Sequence, residues 1–340
     1  MIRRSNRRSS FFPRGAALAG AFPLLLYLTT VLGFDSSYSH HLYDHRAFIN
    51  QYWHGVYAYR ILGRELVLAT RRLLDHFGLF VHTTSTDLGQ GKPTKDLFTA
   101  FVVVNGAALL TLTTLLYVAN FATSEWALAY VTLVVLIVVS GYVVTPYDNL
   151  SYLWITASLL VVMQDNGWAW FPALLVAIVG TATRESFLVA VAASYGMLVA
   201  RGGWRSVFSA RDARWWSTFA LGVGFVSTYA TLHWLVHPDP TSHALFMKVP
   251  LSFNWNSSSV VGVIICLLGA VTLYGTWPRI TSAYRRPWRR ARLTLWILSS
   301  PYLAACVLGG IWFEAPRLLM PLFLCEFMLR QAAVEVRIGS

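Results

Sequence analysis

Asp35 and Asp44 lie in a polar stretch that directly follows the first long apolar segment of the chain. A carboxylate just beyond such a segment is suited to act as a general base toward an acceptor hydroxyl. His40 would share a helix face with Asp44, and the histidines nearby give a spacing that suits a divalent metal. The alternative is a hydrated loop in which Asp44 caps the next helix. We favour that alternative for the histidines, assign no metal ligand, and keep Asp35 and Asp44 as candidate catalytic residues.

The same polar stretch contains an arginine among aromatic residues. Arg60 follows Tyr59 and is a permanent planar cation with several donors, so it is suited to grip a phosphate group. The alternative is an interfacial arginine that contacts lipid phosphates, with Tyr59 in an aromatic belt. Both interpretations stay open, and Tyr59 and Arg60 are candidate substrate-binding residues.

A third acidic residue, Asp148, lies between two apolar segments, two residues after Pro146. Capping of the following helix would explain Asp148 without any function. Pro146, however, favours a tight turn that would direct Asp148 back toward the first polar stretch. Asp148 is therefore the third candidate catalytic residue, with support of a metal as a further alternative.

Two pairs of arginine and glutamate interrupt the apolar sequence farther along. Arg184 and Glu185 fall inside an otherwise continuous apolar stretch, and burying such a pair in hydrocarbon costs several kcal/mol, so we expect the chain to turn there. Glu314 and Arg317 repeat the pattern before the last apolar segment. A structural ion pair is the alternative at both places. All four are candidate substrate-binding residues.

The composition of the chain indicates what kind of secondary structure positions these candidate residues. The chain is 56% hydrophobic and only 12% charged, about half the charged fraction of a typical soluble protein. A helix that crosses a bilayer needs about 20 mostly apolar residues. The sequence therefore predicts an all-α integral membrane protein, a single transmembrane domain over residues 1–340 with about ten spanning helices. The predicted spans are residues 16–34, 97–119, 125–146, 150–164, 168–183, 186–200, 216–236, 258–277, 293–313 and 316–331.

The distribution of charge predicts the orientation in the membrane. With ten spans and a cytoplasmic N-terminus, one face holds 17 basic and 5 acidic residues, whereas the other holds 10 of each. The whole net charge of +12 lies on one face, as the positive-inside rule predicts for the cytoplasmic face. We expect a multi-pass protein of the plasma (inner) membrane with both termini in the cytoplasm. Membrane lipids are its expected partners, and nucleic acid is not.

Two longer polar stretches, residues 35–96 and 237–258, fall on the non-cytoplasmic face. Apolar residues recur in the first of them at three- and four-residue spacing, which predicts an amphipathic helix in the membrane interface. A second interfacial helix is expected over residues 43–59. On the cytoplasmic face, the arginine-rich residues 278–292 suit contact with anionic lipid headgroups. The apolar residues of the predicted amphipathic helix are Leu62, Leu66, Ala69, Leu73, Phe77 and Phe80.

The sequence lacks the common motifs of soluble enzymes that would favour another function. The sequence contains no P-loop, no dinucleotide-binding glycine pattern, no HExxH and no GxSxG. We therefore expect no nucleotide cofactor and no ATP-driven transport, while a divalent metal stays an open alternative.

The layout of the chain resembles the GT-C-type polytopic membrane glycosyltransferases, or an uncharacterised relative of that superfamily. The resemblance extends over most of the chain, although the acidic pair of the better-known members is missing from the start of the first loop. Interfacial helices in that loop are part of the resemblance. The residues that carry it are Asp35 or Asp44, the Tyr-Arg-Ile-Leu stretch at 59–62, Asp148, and the turn at Arg184 and Glu185.

This resemblance implies transfer of a sugar from a polyprenyl-phosphate donor to a glycan, lipid or protein acceptor at the non-cytoplasmic face. The acid of the first loop would act as the base or position the acceptor, and arginines on the same side would hold the phosphate. Two alternatives stay open. One is a transporter or flippase of a lipid-linked glycan, and the other is a non-catalytic subunit held by partners in a membrane complex.

Overall fold

A computed structural model describes residues 15, 17–33, 48–55, 57–79, 95–119, 123, 125–141, 147–164, 166–210, 212–236, 257–278, 282–309 and 314–335. All regular structure in these residues is helical, which confirms the predicted all-α class. The described residues form twelve α-helices, joined in places by short 3-10 or π-helical turns. The helices are α1 (Phe22–Gly33), α2 (Ile61–Phe77), α3 (Lys95–Val118), α4 (Ala127–Ser140), α5 (Asp148–Met163), α6 (Trp170–Thr183), α7 (Leu188–Gly202), α8 (Ala213–Leu235), α9 (Ser257–Thr276), α10 (Ser282–Leu298), α11 (Ser300–Gly309) and α12 (Ala315–Glu335).

Two helices in the described part of the chain are long and apolar enough to cross a membrane. They contain Asp96–Val118 of α3, with a mean hydropathy of 1.9, and Ser259–Thr276 of α9, with a mean hydropathy of 2.0. A third candidate is the bent pair Arg285–Leu298 and Ser300–Leu308, whose two halves differ in direction by 50°. Length and composition thus identify two or three spans among the described helices.

The centre of the bundle is formed by α5, α7 and α12, which contact one another and are buried over most of their length. Some polar side chains inside these helices are satisfied by the backbone of the same helix. The hydroxyl of Ser158 donates to the carbonyl of Ile155 at 2.7 Å, and that of Ser194 donates to Val191 at 2.7 Å. Such bonds allow serine in an apolar interior, where water is absent.

The chain turns between α6 and α7, where the sequence predicted a turn. A 3-10 turn, Glu185–Phe187, separates the two helices, and Phe187 is fully buried. A Cβ atom on Gly180 would lie 2.3 Å from the Phe187 ring, so only glycine permits this close return of the chain. The tight turn fixes Arg184 and Glu185 at one end of the bundle.

Helix α2 is amphipathic, and its predicted apolar face is covered only in part: Leu62 and Leu66 are partly buried against the core. Gly63 and Val67 are buried, and α2 packs on α3 and α6. Leu73 and Phe77, which were predicted to share the apolar face, are 58% and 63% exposed. The N-terminal half of α2 therefore packs on the bundle, while its C-terminal half presents apolar side chains outward.

Other predictions about the polar stretches are met in part or lie outside the described residues. Within the stretch 43–59, helical structure covers Phe48 to His54 and ends in a π-helical turn. Of the second polar stretch, residues 237–256 lie outside the described residues, and α9 begins at Ser257.

Candidate functional site

The first residue of α5, Asp148, lies between two buried arginines. One carboxylate oxygen contacts Nη1 of Arg184, and the other lies 3.4 Å from Nε of Arg317. The three side chains are only 4–5% exposed. The N-cap of α5 is Tyr147, whose side chain makes no capping hydrogen bond. Asp148 therefore links the start of α5 to the start of α12 and to the turn before α7. The sequence suggested that Asp148 could simply cap a helix, but the structure shows that it also forms these two ion pairs.

A second carboxylate holds the same arginine of α12. Oε2 of Glu314 lies 2.9 Å from Nη2 of Arg317, and the Glu314 side chain is 8% exposed. The hydroxyl of Tyr152, one turn along α5, donates to the Arg317 carbonyl at 3.2 Å. Arg317 is thus fixed through both its side chain and its backbone.

A third ion pair joins the start of α2 to the turn between α6 and α7. Nε of Arg60 lies 3.1 Å from Oε2 of Glu185, and Nη2 lies 3.0 Å from the same oxygen. The side chains are 13% and 34% exposed, so this pair is the more accessible part of the site. Nearby, Tyr59 stacks on His233 of α8 with ring centroids 3.9 Å apart.

Tyr147 connects the accessible pair to the buried ones. The guanidinium carbon of Arg60 lies 4.4 Å from the centre of the Tyr147 ring, and that of Arg184 lies 5.8 Å from it. Arg60 also lies 4.7 Å from the ring of Tyr57. Arginine over an aromatic face is stabilised by the ring quadrupole, most strongly away from water. We call the six charged residues the arginine cluster: Arg60, Asp148, Arg184, Glu185, Glu314 and Arg317.

The arginine cluster contains three positive and three negative side chains, so each charge has a neighbour of opposite sign. Burial on its own would lower the pKa of Arg60, but the Glu185 charge outweighs it, and the pKa is raised above the ordinary arginine value. Burial would likewise raise the pKa of Glu185, but the Arg60 charge and hydrogen bonds lower it overall. Both groups therefore stay charged at neutral pH.

Several donors of the cluster are left without an acceptor in the described part of the chain. Nη1 of Arg60 and Nη1 of Arg317 are buried and make no hydrogen bond to the described residues. Buried donors that lack acceptors are costly, about 1–3 kcal/mol each. An incoming anion whose oxygens reached these atoms would remove that cost.

Acid titration should expose the contribution of Glu185. Its pKa is lowered in the folded protein, so the stabilisation from its charge is complete above the ordinary glutamate pKa and is lost as the pH falls through the lowered value. Glu185→Gln should therefore unfold at a lower temperature than wild type at neutral pH, with a difference that shrinks under acid. Thermal unfolding between pH 7 and pH 3 measures this effect.

Glu65→Gln is the matched control for the acid titration. Glu65 also pairs with an arginine, Arg64, at 2.8 Å, but its side chain is 52% exposed. Solvent screening makes such pairs weak. Identical pH profiles for the Glu65 and Glu185 variants would contradict the assignment.

Most of the residues selected from the sequence lie together in the structure. Six of them form the arginine cluster, and Tyr59 lies beside it, within electrostatic reach of Glu185. Asp35 and Asp44 lie outside the described residues, as do the histidines near them. In the described part of the chain, no three His, Cys, Asp or Glu side chains form a group that could hold a metal ion.

Sequence reasoning missed the aromatic residues that line the site. Tyr52, Tyr57 and Tyr147 pack on one another with ring centroids 5.5–6.2 Å apart. Tyr147 could have been selected from the sequence, because it lies directly before the candidate residue Asp148. Tyr52 is fully buried although it comes from a polar stretch of the chain, and such tertiary burial has no local signature.

The fold and the site define an all-helical protein with membrane-spanning candidates and a buried cluster of ion pairs at one end. Comparison of the chain with protein-family models, with curated proteins and with solved structures finds no match. The function is therefore inferred from the chemistry of the site.

Proposed function

We propose that the ten segments named from the sequence all cross the membrane, and that the protein lies in the plasma (inner) membrane with both termini in the cytoplasm. The charge at the two ends of the bundle supports this orientation. Helix α12 begins beside Arg317 in the arginine cluster and reaches Arg330 thirteen residues later, about 20 Å along its axis. Arg330 lies beside the arginine-rich start of α10, as the positive-inside rule predicts for the cytoplasmic end. The arginine cluster then faces the non-cytoplasmic side.

We further propose that the protein transfers a sugar from a polyprenyl-phosphate donor to a glycan, lipid or protein acceptor on that side. The observation that carries this proposal is the arginine cluster. Its three arginines come from distant parts of the sequence and meet where α5, α7 and α12 all begin. Helix N-termini carry partial positive charge, so their convergence adds to the attraction for a phosphate.

The chemistry of the reaction accounts for the residue types. The acceptor oxygen attacks the anomeric carbon of the sugar while the bond from that carbon to the phosphate oxygen breaks. Polyprenyl phosphate leaves with the electron pair, and Arg60 stabilises its developing negative charge. The proton of the acceptor hydroxyl passes to a carboxylate, and Asp35 and Asp44 are the candidates. Asp148, held by two arginines, acts by positioning them.

An apolar groove beside the cluster suits the lipid part of such a donor. A groove of about 550 Å³ lies between α7 and α8 and is lined almost entirely by apolar side chains, among them Leu188, Val191, Phe219 and Val226. Leu188 is three residues from Glu185, so the groove starts one helical turn from the accessible ion pair. A phosphate at Arg60 would allow an isoprenoid chain to lie in this groove.

The test of the proposed function is a transfer assay with purified protein in lipid vesicles. Polyprenyl-phosphate sugars labelled in the sugar are supplied together with glycan, lipid or peptide acceptors. We expect a covalent product that carries the label. Movement of intact labelled lipid across the vesicle membrane, with no covalent product, would instead support a flippase.

Asp35→Asn and Asp44→Asn, made separately, identify the base within the same assay. We expect one of them to abolish transfer while donor binding persists, since neutralising a base affects proton transfer rather than affinity. Glu65→Gln serves as a control that removes a carboxylate from the same polar stretch. Undiminished transfer in both aspartate variants would remove the proposed base.

Two observations favour a second function, that of a non-catalytic subunit in a membrane complex. The arginine cluster is balanced in charge and mostly buried, as expected for ion pairs that only hold helices together. Helix α9 is also poorly covered, since only 28% of its apolar window is buried inside the protein. Under this hypothesis the protein would lose stability when separated from its neighbours, and it would show no transfer.

A further inference from the structure

We propose that the ends of α9, α10 and α12 opposite the arginine cluster form a binding site for the phosphate group of an anionic membrane phospholipid. The site is independent of the proposed transfer reaction. Its residues are Arg330 of α12, Trp277 after α9, and an arginine-rich face of α10. We call this group the basic end, and its α10 members are Arg285, Arg286, Arg289, Arg290 and Arg292.

Arg330 contacts two tryptophan rings, and part of its hydrogen-bond donor capacity is unused. Its guanidinium carbon lies 4.7 Å from the centre of the Trp277 ring and 5.7 Å from that of Trp288. Its Nη2 donates to the carbonyl of Pro278 at 2.5 Å, whereas its Nε is buried and has no acceptor among the described residues. A guanidinium that is fixed in this way is prepared to receive an anion, because little conformational entropy remains to be lost.

Trp277 supplies a second unused donor at the same place. The residue is 7% exposed, and its indole Nε1 makes no hydrogen bond within the described part of the chain. Indole N–H groups in protein interiors usually find an acceptor. The Arg330 guanidinium carbon lies 4.7 Å from the centre of the Trp277 ring, so the two unused donors belong to neighbouring side chains, and a phosphate with several acceptor oxygens is suited to both.

Helix α10 directs three of its arginines away from the bundle. Trp288, Ala291 and Leu295 are buried on its inner face, and the Ala291 carbonyl lies 2.9 Å from where a Cβ atom on Gly196 of α7 would stand. This close packing leaves the arginines at 285, 286 and 289 on the exposed face, whereas Arg292 pairs with the buried Glu326 of α12. Their charge is available to a ligand that approaches from outside.

Few acidic groups compete for this positive charge. Glu326 of α12 is fully buried and contacts both Arg292 and the Tyr274 hydroxyl. At the same end, Asp212 lies 3.9 Å from Arg201. Among the described residues, Glu326 is the acid that faces α10, so the outer face of the basic end stays strongly positive.

A lipid, rather than a soluble anion, is indicated by the apolar surface that continues from the arginines. Leu293, Ile297 and Leu298 of α10 are 54%, 52% and 41% exposed, directly after the arginine-rich half. An exposed cationic zone followed by an exposed apolar zone on one helix matches the boundary between headgroups and hydrocarbon. Phosphate would lie at the arginines and Trp277, and acyl chains would lie along the apolar half.

Lipid retention by the purified full-length protein tests the proposal. Protein in bilayer discs that contain equal amounts of phosphatidylglycerol and phosphatidylcholine is extracted into detergent, and the bound lipid is counted by native mass spectrometry. We expect wild type to retain phosphatidylglycerol preferentially. Arg285→Ala combined with Arg289→Ala should weaken this retention roughly tenfold, since each arginine near an anionic membrane contributes to binding. Arg72→Ala, which removes an exposed arginine of α2, should leave it unchanged.

Trp277→Phe separates binding from folding. The change keeps an aromatic ring under Arg330 but removes the unused N–H donor, so stability without anionic lipid should be unchanged or higher. Retention of phosphatidylglycerol should nevertheless fall several-fold. Equal retention of both lipids by wild type, or no difference between the double arginine variant and Arg72→Ala, would overturn the proposal. Displacement of the lipid by millimolar inorganic phosphate would assign the site to a free anion and overturn the choice of a lipid.

Discussion

Asp148→Asn should destabilise the protein by about 3–5 kcal/mol, the typical effect of removing one partner from a buried ion pair. The amide keeps the size of the side chain but loses its charge. Arg184 then loses the carboxylate that it contacts, and Arg317 loses one of its two carboxylate partners among the described residues, keeping Glu314. Because both arginines are 4% exposed, water cannot replace the lost charge. The free energy of unfolding in mixed micelles, measured by titration with a denaturing detergent, gives the effect.

Asp212→Asn is the matched control for this substitution. Asp212 caps α8 by accepting a hydrogen bond from the Arg214 amide at 3.0 Å, and its side chain is 34% exposed. Asparagine caps helices about as well as aspartate, so this variant should lose less than about 1 kcal/mol. Equal losses for the two variants would show that the Asp148 pairs contribute no more than surface charge.

A double variant shows whether the loss comes from the ion pair itself. Arg184→Gln removes the charge that Asp148→Asn leaves without a carboxylate. We expect the double variant to be more stable than the sum of the two single effects predicts, by about 1 kcal/mol or more. Strict additivity would mean that the two side chains act independently, in conflict with their contact.

The sequence was sufficient to predict the helical class and the position of the turn at Arg184 and Glu185. Hydrophobic periodicity and the cost of burying charge are local properties, so both can be inferred from neighbouring residues. The i,i+3 pair of Glu314 and Arg317 was open to prediction for the same reason. The partners of Arg60 and Asp148 were not, because they lie 125 and 36 residues away along the chain.

The face of α2 shows the same limit for packing. The spacing of its leucines identified an amphipathic helix, but Val67 is the residue that is fully buried, and Leu73 is exposed. Periodicity identifies an apolar side of a helix without specifying which neighbour covers it. Glu326 gave a signal that was underused, since an acid in an apolar segment requires partners, and the structure supplies Arg292 and Tyr274.

Arg60→Lys should reduce sugar transfer roughly 100-fold, as expected for loss of one preorganised donor that stabilises transition-state charge. Lysine keeps the positive charge but lacks the planar fork that places Nε and Nη2 against Glu185. Lysine also loses the contacts of the Arg60 guanidinium with the rings of Tyr57 and Tyr147, whose centres lie 4.7 and 4.4 Å from the guanidinium carbon. Because the charge is retained, folding should change little. Rates of transfer from a polyprenyl-phosphate donor, with kcat and KM determined separately, measure the effect.

Arg64→Lys distinguishes a role in the reaction from a role in holding α2. Arg64 lies in the first turn of α2, one turn after Arg60, which is the N-cap of that helix. It pairs with Glu65 at 2.8 Å and lies 4.3 Å from the Trp53 ring, so it also makes an ion pair and a ring contact, but outside the arginine cluster. Since the proposed function assigns stabilisation of the leaving phosphate to Arg60, the Arg64 variant should keep nearly full kcat. If both variants lost activity equally, α2 would act through its packing alone, and Arg60 would be a structural residue. A selective loss at Arg60, with donor binding retained, would identify the accessible end of the cluster as the place where the phosphate departs.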